Sequence, residues 1–163
     1  MLSLLGIKIN ENLNNVTCDW CTNKVILMVG MFAYCTSLMS LNMSNANTDK
    51  VTSMQNMFFG CNNLITLDIS NLNMSNVPNN ANDTSIFNNT PSLENIGMIN
   101  CDINTINKAS ALTTATLWVG EHINIADYNG TAPLKIYKED KVEIKLNSPL
   151  LKGDTIEVID GKT

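Results

Sequence analysis

The chain has 163 residues, enough for one domain with a sizeable core or one domain with a small appendage. Apolar residues make up 44% and charged residues only 15%, well under the ~25% usual in soluble domains; Asn, Ser and Thr fill the gap, and all ten basic residues are Lys. A net charge of −5 with no lysine cluster argues against a nucleic-acid partner, and no apolar run reaches the ~20 residues of a bilayer span, so membrane insertion is not expected.

Residues 1–9 are apolar but lack the basic start and small-residue cleavage site of a signal peptide. They carry half a repeat: Ser3-Leu-Leu-Gly-Ile-Lys-Ile9 lines up with Ser37-Leu-Met-Ser-Leu-Asn-Met43, on the skeleton L-x-x-L-x-L. Either a capping unit begins here, or the sequence starts inside a longer array. Residues 10–24 read as an inserted surface loop. Within it, Cys18-x-x-Cys21 raises zinc and redox chemistry. No second ligand pair or strand-to-helix setting accompanies it, so a local disulfide or free thiols are expected.

Residues 25–76 write one pattern twice. Val25, Met28, Met31, Phe32, Cys35, Leu38, Leu41, Met43 and Ala46 recur 26 residues later as Val51, Met54, Met57, Phe58, Cys61, Leu64, Leu67, Ile69 and Leu72. An offset of that size predicts stacked units. Val51, Met54, Met57 and Phe58 have helical spacing, whereas Leu64-x-x-Leu67-x-Ile69 switches to the alternation of a strand. The methionine pairs read as core filling rather than soft-metal ligands, and Cys35 and Cys61 as small buried thiols. The Asn content fits the polar turns such a stack needs, although an A/T-rich coding sequence would also produce it.

A third unit opens at Val77 and is lengthened by three residues, since Phe58 to Phe87 and Leu64 to Leu93 are both 29 apart. Asp83 and Ile86 replace its two methionines, which weakens the expected helix. Its strand half, Leu93-x-x-Ile96-x-Met98-x-x-Cys101, fits the leucine-rich repeat skeleton with Cys in the ninth place. Copies thus begin at Leu4, Leu38, Leu64 and Leu93, with a shorter fifth read as Leu112-x-x-Ala115-x-Leu117.

The strings Met31-Phe-Ala-Tyr-Cys-Thr-Ser-Leu38 and Val51-Thr-Ser-Met-Gln-Asn-Met-Phe-Phe-Gly-Cys-Asn-Asn-Leu-Ile-Thr-Leu-Asp-Ile-Ser70 resemble the BspA-type leucine-rich repeat, V-x-x-M-x-x-M-F-x-x-C-x-x-L-x-x-L-D-L-S. The match is close over 25–76 and looser to about 119. The resemblance implies a right-handed solenoid of bacterial surface proteins and adhesins, without enzyme activity. It transfers no ligand-binding residue, because the shared positions are core ones.

Beyond Val119, Leu134-Lys-Ile-Tyr137, Lys141-Val-Glu-Ile-Lys-Leu146 and Thr155-Ile-Glu-Val-Ile159 alternate between turn residues and predict a small antiparallel meander. Residues 146–161 also resemble a segment of tail and baseplate proteins from phages of Gram-positive bacteria. The expected fold is therefore an α/β repeat solenoid, a short irregular leucine-rich repeat array of about four or five units over 1–119, followed by a β-rich connector over 120–163.

No catalytic constellation emerges. Glu139/Asp140 and Asp154/Glu157/Asp160 read as solvated charge, and His122 is the only histidine and has no nucleophile in a recognisable elbow beside it. No cofactor or metal is expected. Binding is assigned to the strand face, where Met39, Ser40, Asn42, Ile65, Thr66, Asp68, Glu94 and Asn95 point outward. This predicts a non-enzymatic recognition or adhesion module at a cell surface or on a phage tail, contacting a host surface protein or glycan. The alternative is a structural tail or baseplate component packed on neighbouring virion subunits; a homo-oligomer fits either.

Overall fold

A computed structural model describes residues 15–17, 22–78 and 83–137. The half-repeat over 4–9, the Cys18/Cys21 pair, the strands expected at 141–146 and 155–159, the acidic groups from Glu139 to Asp160 and the tail-like stretch 146–161 lie outside them.

Six short strands form one sheet: β1 (Asn15–Thr17), β2 (Ser40–Asn42), β3 (Thr66–Asp68), β4 (Asn95–Met98), β5 (Thr116–Gly120) and β6 (Leu134–Tyr137). They lie side by side in chain order, and every neighbouring pair is parallel. Val16, Leu41, Leu67, Ile96, Leu117 and Leu134 face one another along the register, at separations of 25, 26, 29, 21 and 17 residues. Inward side chains form buried columns: Leu41, Leu67, Ile96, Leu117 and Leu134 in one, Met43, Ile69, Met98, Val119 and Ile136 in the next.

This overturns the expected α/β solenoid with its antiparallel meander. The stretch at 51–58 is not helical, and the one α-helix among the described residues is α1 (Ile103–Lys108). The reason lies in the backbone donors. Met31, Ala33 and Cys35 donate to the carbonyl three residues back, whereas Met28, Gly30, Phe32 and Tyr34 donate across to Ser53, Gln55, Met57 and Phe59 of the next unit. The following unit repeats the arrangement, with Met57, Phe59 and Cys61 bonding back to Met54, Asn56 and Phe58, while Phe58 and Gly60 donate to Ile86 and Asn89. An α-helix would consume those donors internally. Left-handed residues recur in step, at Gly30 and Asn56, then at Tyr34, Gly60 and Asn89. A left-handed residue every fourth position is incompatible with a right-handed helix, and Gly and Asn adopt it at least cost. The apolar three-and-four spacing is thus met by a strip of turns.

The meander fails for a related reason. The alternation in Leu134-Lys-Ile-Tyr137 makes a strand but carries no direction. The 17-residue step from Leu117 to Leu134, with a 3-10 helix at Ile125–Asp127, crosses back to start β6 parallel to β5. Two further expectations shift. β1 falls within 10–24, where only a loop was expected; Leu13-x-x-Val16-x-Cys18 follows the same skeleton 25 residues before Leu38. The fifth copy is displaced by two, because Leu117 lies opposite Ile96 and Val119 opposite Met98.

The strip buries a column of aromatic rings. Phe32 stacks on Phe58 at 5.6 Å and Phe58 on Phe87 at 5.9 Å, with planes 9° and 14° apart. Phe87 closes a 3-10 helix, Asp83–Phe87, where the third unit's helix was in doubt. α1 braces the same unit: Asp102 caps it by accepting from Thr105 N–H at 2.7 Å, and Thr105 Oγ1 accepts from Met74 N–H at 3.1 Å. From its last turn the buried Lys108 ammonium donates to Val77 O at 2.7 Å and Pro78 O at 3.4 Å.

Two outcomes follow for stability. Phe58→Ala removes a ring packed on both faces and should cost ~3–5 kcal/mol in urea unfolding, with Phe58→Leu costing less. Lys108→Met leaves the buried Val77 carbonyl without the ammonium donor and should cost ~1–3 kcal/mol in the same assay.

Candidate functional site

Because alternate residues of a strand point to opposite faces, the register that builds the core also builds the outer surface. Two rows result. Ser40, Thr66, Asn95 and Thr116 form one; Asn42, Asp68, Gly97, Trp118 and Lys135 form the other. All eight residues expected on the strand face lie on this side or at its entry. Ser40, Asn42, Thr66, Asp68 and Asn95 belong to the rows, while Met39, Ile65 and Glu94 occupy one repeat position immediately before the strands. Their backbones are committed: Met39 O accepts from Ile65 and Thr66 N–H, and Ile65 O from Glu94 and Asn95 N–H. Met39, Thr66 and Glu94 are exposed, and the other five are half-buried.

Neighbouring side chains in the rows are hydrogen-bonded. Thr66 Oγ1 donates to Ser40 Oγ at 2.9 Å, and Trp118 Nε1 donates to Asn95 Oδ1 at 3.0 Å. Asn42 Oδ1 accepts from Ser44 N–H at 2.9 Å, and Asp68 Oδ1 from Ser70 N–H at 3.0 Å, so each side chain turns the chain at its strand's end. Gly97 has a steric reason: a Cβ there would come within 2.9 Å of Asp68 Oδ1. Without one, the carboxylate lies close against Gly97 of β4. On the far side the Lys135 ammonium sits 4.5 Å from the centre of the Trp118 ring, a cation–π contact.

Trp118, Thr116 and Lys135 escaped the sequence reading. The two-residue displacement of the fifth copy moved Trp118 out of the strand, and Lys135 was assigned to an antiparallel hairpin. The usable signal was Ile96-x-Met98 set against Leu117-x-Val119, which places a tryptophan outward.

Chemistry elsewhere is quiet. Among the described residues no three His, Cys, Asp or Glu side chains gather as a metal site would need. His122 Nε2 lies 3.1 Å from Cys101 O, a backbone contact. Cys61 Sγ donates to Phe32 O at 3.0 Å and Cys101 Sγ to Ile69 O at 3.3 Å. Burial pushes the Cys61 thiol from 9.0 up to about 11 and the Cys101 thiol up to about 12. Burial likewise lifts the Tyr128 phenol, which donates to Ala132 O at 2.9 Å, up to about 12. A neutral thiol held this way is a poor nucleophile.

A family model described as "Mycoplasma protein of unknown function, DUF285" matches residues 6–119. No curated protein and no solved structure matches the chain.

The raised thiols and phenol set a pH dependence. A group whose folded value lies above its unfolded one contributes stability that is complete below the unfolded value and is lost as pH climbs toward the folded one. The urea midpoint should therefore fall as pH rises from 9.0 toward 12, and a Cys61→Ala/Cys101→Ala variant should show a shallower fall over the same window.

Proposed function

The chain belongs to the family of Mycoplasma proteins of unknown function, DUF285, and on that premise we propose that it is a non-enzymatic recognition module, displayed at a cell surface for adhesion, whose outward sheet face binds host glycans. The observation that carries this reading is the pair of outward rows. They present hydroxyl, amide and carboxyl groups at the ~4.8 Å spacing of neighbouring strands, with one half-buried indole among them.

Hydroxyls, amides and a carboxylate beside an indole suit a polyhydroxylated ligand with an apolar ring face. Among the described side chains of these rows there is one Trp and no Arg, so they are poor in the residues that anchor protein partners. A single such contact is weak, and several copies on one surface would act together through effective concentration. The resemblance of 25–76 to BspA-type repeats of bacterial surface proteins supports the adhesive setting.

The test is retention on glycan arrays and host cells by the purified chain. Thr66→Arg, a bulky charge on the exposed row, and Asp68→Asn should together reduce binding at least about tenfold, the equivalent of 1.4 kcal/mol, with the urea midpoint unchanged. Undiminished binding by that variant would remove the face from the function. Retention by deglycosylated cells would replace the glycan with a surface protein. A chain that binds neither but forms a stable oligomer broken by Thr66→Arg would make the face a packing surface between subunits.

A further inference from the structure

We propose that Cys35 and Cys61 are a modification site: in the presence of a small disulfide oxidant they join as an intrachain disulfide linking two successive units. The two residues fill one repeat position, 26 apart. The Phe32 carbonyl accepts from both Cys35 N–H and the Cys61 thiol, each at 3.0 Å. Two hydrogen bonds of that length to one oxygen hold Cys61 Sγ within about 6 Å of the Cys35 backbone nitrogen. The segments run alongside each other on both flanks. Tyr34 N–H donates to Phe59 O at 2.7 Å, and Asn63 Nδ2 to Thr36 O at 2.7 Å. Hydrogen-bonded neighbouring segments sit roughly 4.8 Å apart, inside the Cα separation of roughly 4.4–6.8 Å that a disulfide spans.

Exposure gives the order of events. Cys35 is half-buried and Cys61 fully buried. The Cys35 thiol loses its proton to solvent and attacks one sulfur of the external disulfide; that S–S bond breaks, and one small thiol leaves. Cys61, neutral in its buried place and so the slower partner, ionises in alkaline buffer, attacks Cys35 Sγ, breaks the mixed disulfide and releases the second small thiol. Two protein thiols are oxidised and one external disulfide is reduced to two thiols. Cys61 gives up its bond to Phe32 O, but that oxygen keeps the Cys35 N–H. Cys101 bonds Ile69 O in the same way, but that oxygen's second donor is Leu72 N–H, so a leucine stands where Cys35 does and offers no sulfur to join.

The purified chain is incubated with oxidised glutathione in alkaline buffer, where the Cys61 thiolate forms, remaining thiols are alkylated, and the protein is digested without reductant for mass spectrometry. The expected product joins Cys35 to Cys61 with a mass lower by two hydrogens, fragmentation separating Cys61 from Cys101. The same sample should show a raised urea midpoint that reductant returns to its starting value, and Cys35→Ser should abolish both signals. Full alkylation of both cysteines, a reaction that stops with glutathione on Cys35, or a link to any other cysteine would each overturn the proposal.

Discussion

Every second backbone donor in the turn strip is committed to the neighbouring unit, and the rest of the fold depends on that division. Met28, Gly30, Phe32 and Tyr34 have no acceptor within their own turns; they find one in 53–59. A unit separated from its neighbour would leave these donors to water while its apolar column also lost its cover. Local and lateral bonds therefore form together. Buried backbone groups must be paired, so the strip holds its shape only in a stack. The rings of Phe32, Phe58 and Phe87 occupy the space that this pairing encloses.

The same division governs the opposite side. Lateral bonding in the strip and lateral bonding in the sheet impose one register, and that register decides which side chains become neighbours on the surface. Asn95 meets the indole of Trp118 because Gly97 and Trp118 are opposite each other. The Asp68 carboxylate lies close against β4 because residue 97 has no side chain. The outer face is thus set by a framework whose stability comes from the buried columns. Substitutions on the rows can alter the surface while leaving the columns intact.

The buried columns were legible in the sequence, whereas the fold class was not, and the failures have physical causes. Buried columns are readable because a position that must be apolar in one unit must be apolar in the next, as with Leu41, Leu67 and Ile96. Helix was misread because apolar residues three and four apart satisfy a turn strip as well as a helix. The discriminating residues are the left-handed ones, and Gly30/Asn56 and Tyr34/Gly60/Asn89 change identity between units. Asn does a second duty in the turns: Asn47 Oδ1 accepts from Asp49 N–H and Asn73 Oδ1 from Ser75 N–H, one repeat apart. Strand direction at β6 was not legible at all, since alternation is the same in parallel and antiparallel ladders. On the candidate face the rungs of β2, β3 and β4 were found from their repeat positions, whereas the indole was lost when unit length changed.

That change of unit length has a geometric consequence. Opposed residues are 29 positions apart between β3 and β4, 21 between β4 and β5, and 17 between β5 and β6. Each strand consumes about the same span of chain, so the difference comes out of the perimeter, and the body tapers from a broad middle tier to a slim one. A taper gives the body a direction of growth. A full-girth tier duplicated between β2 and β3 meets matching neighbours on both sides, but the same tier inserted between β5 and β6 would overhang the shorter turn of its neighbour. Among the described tiers, lengthening is therefore accommodated at the broad ones and resisted at the slim ones.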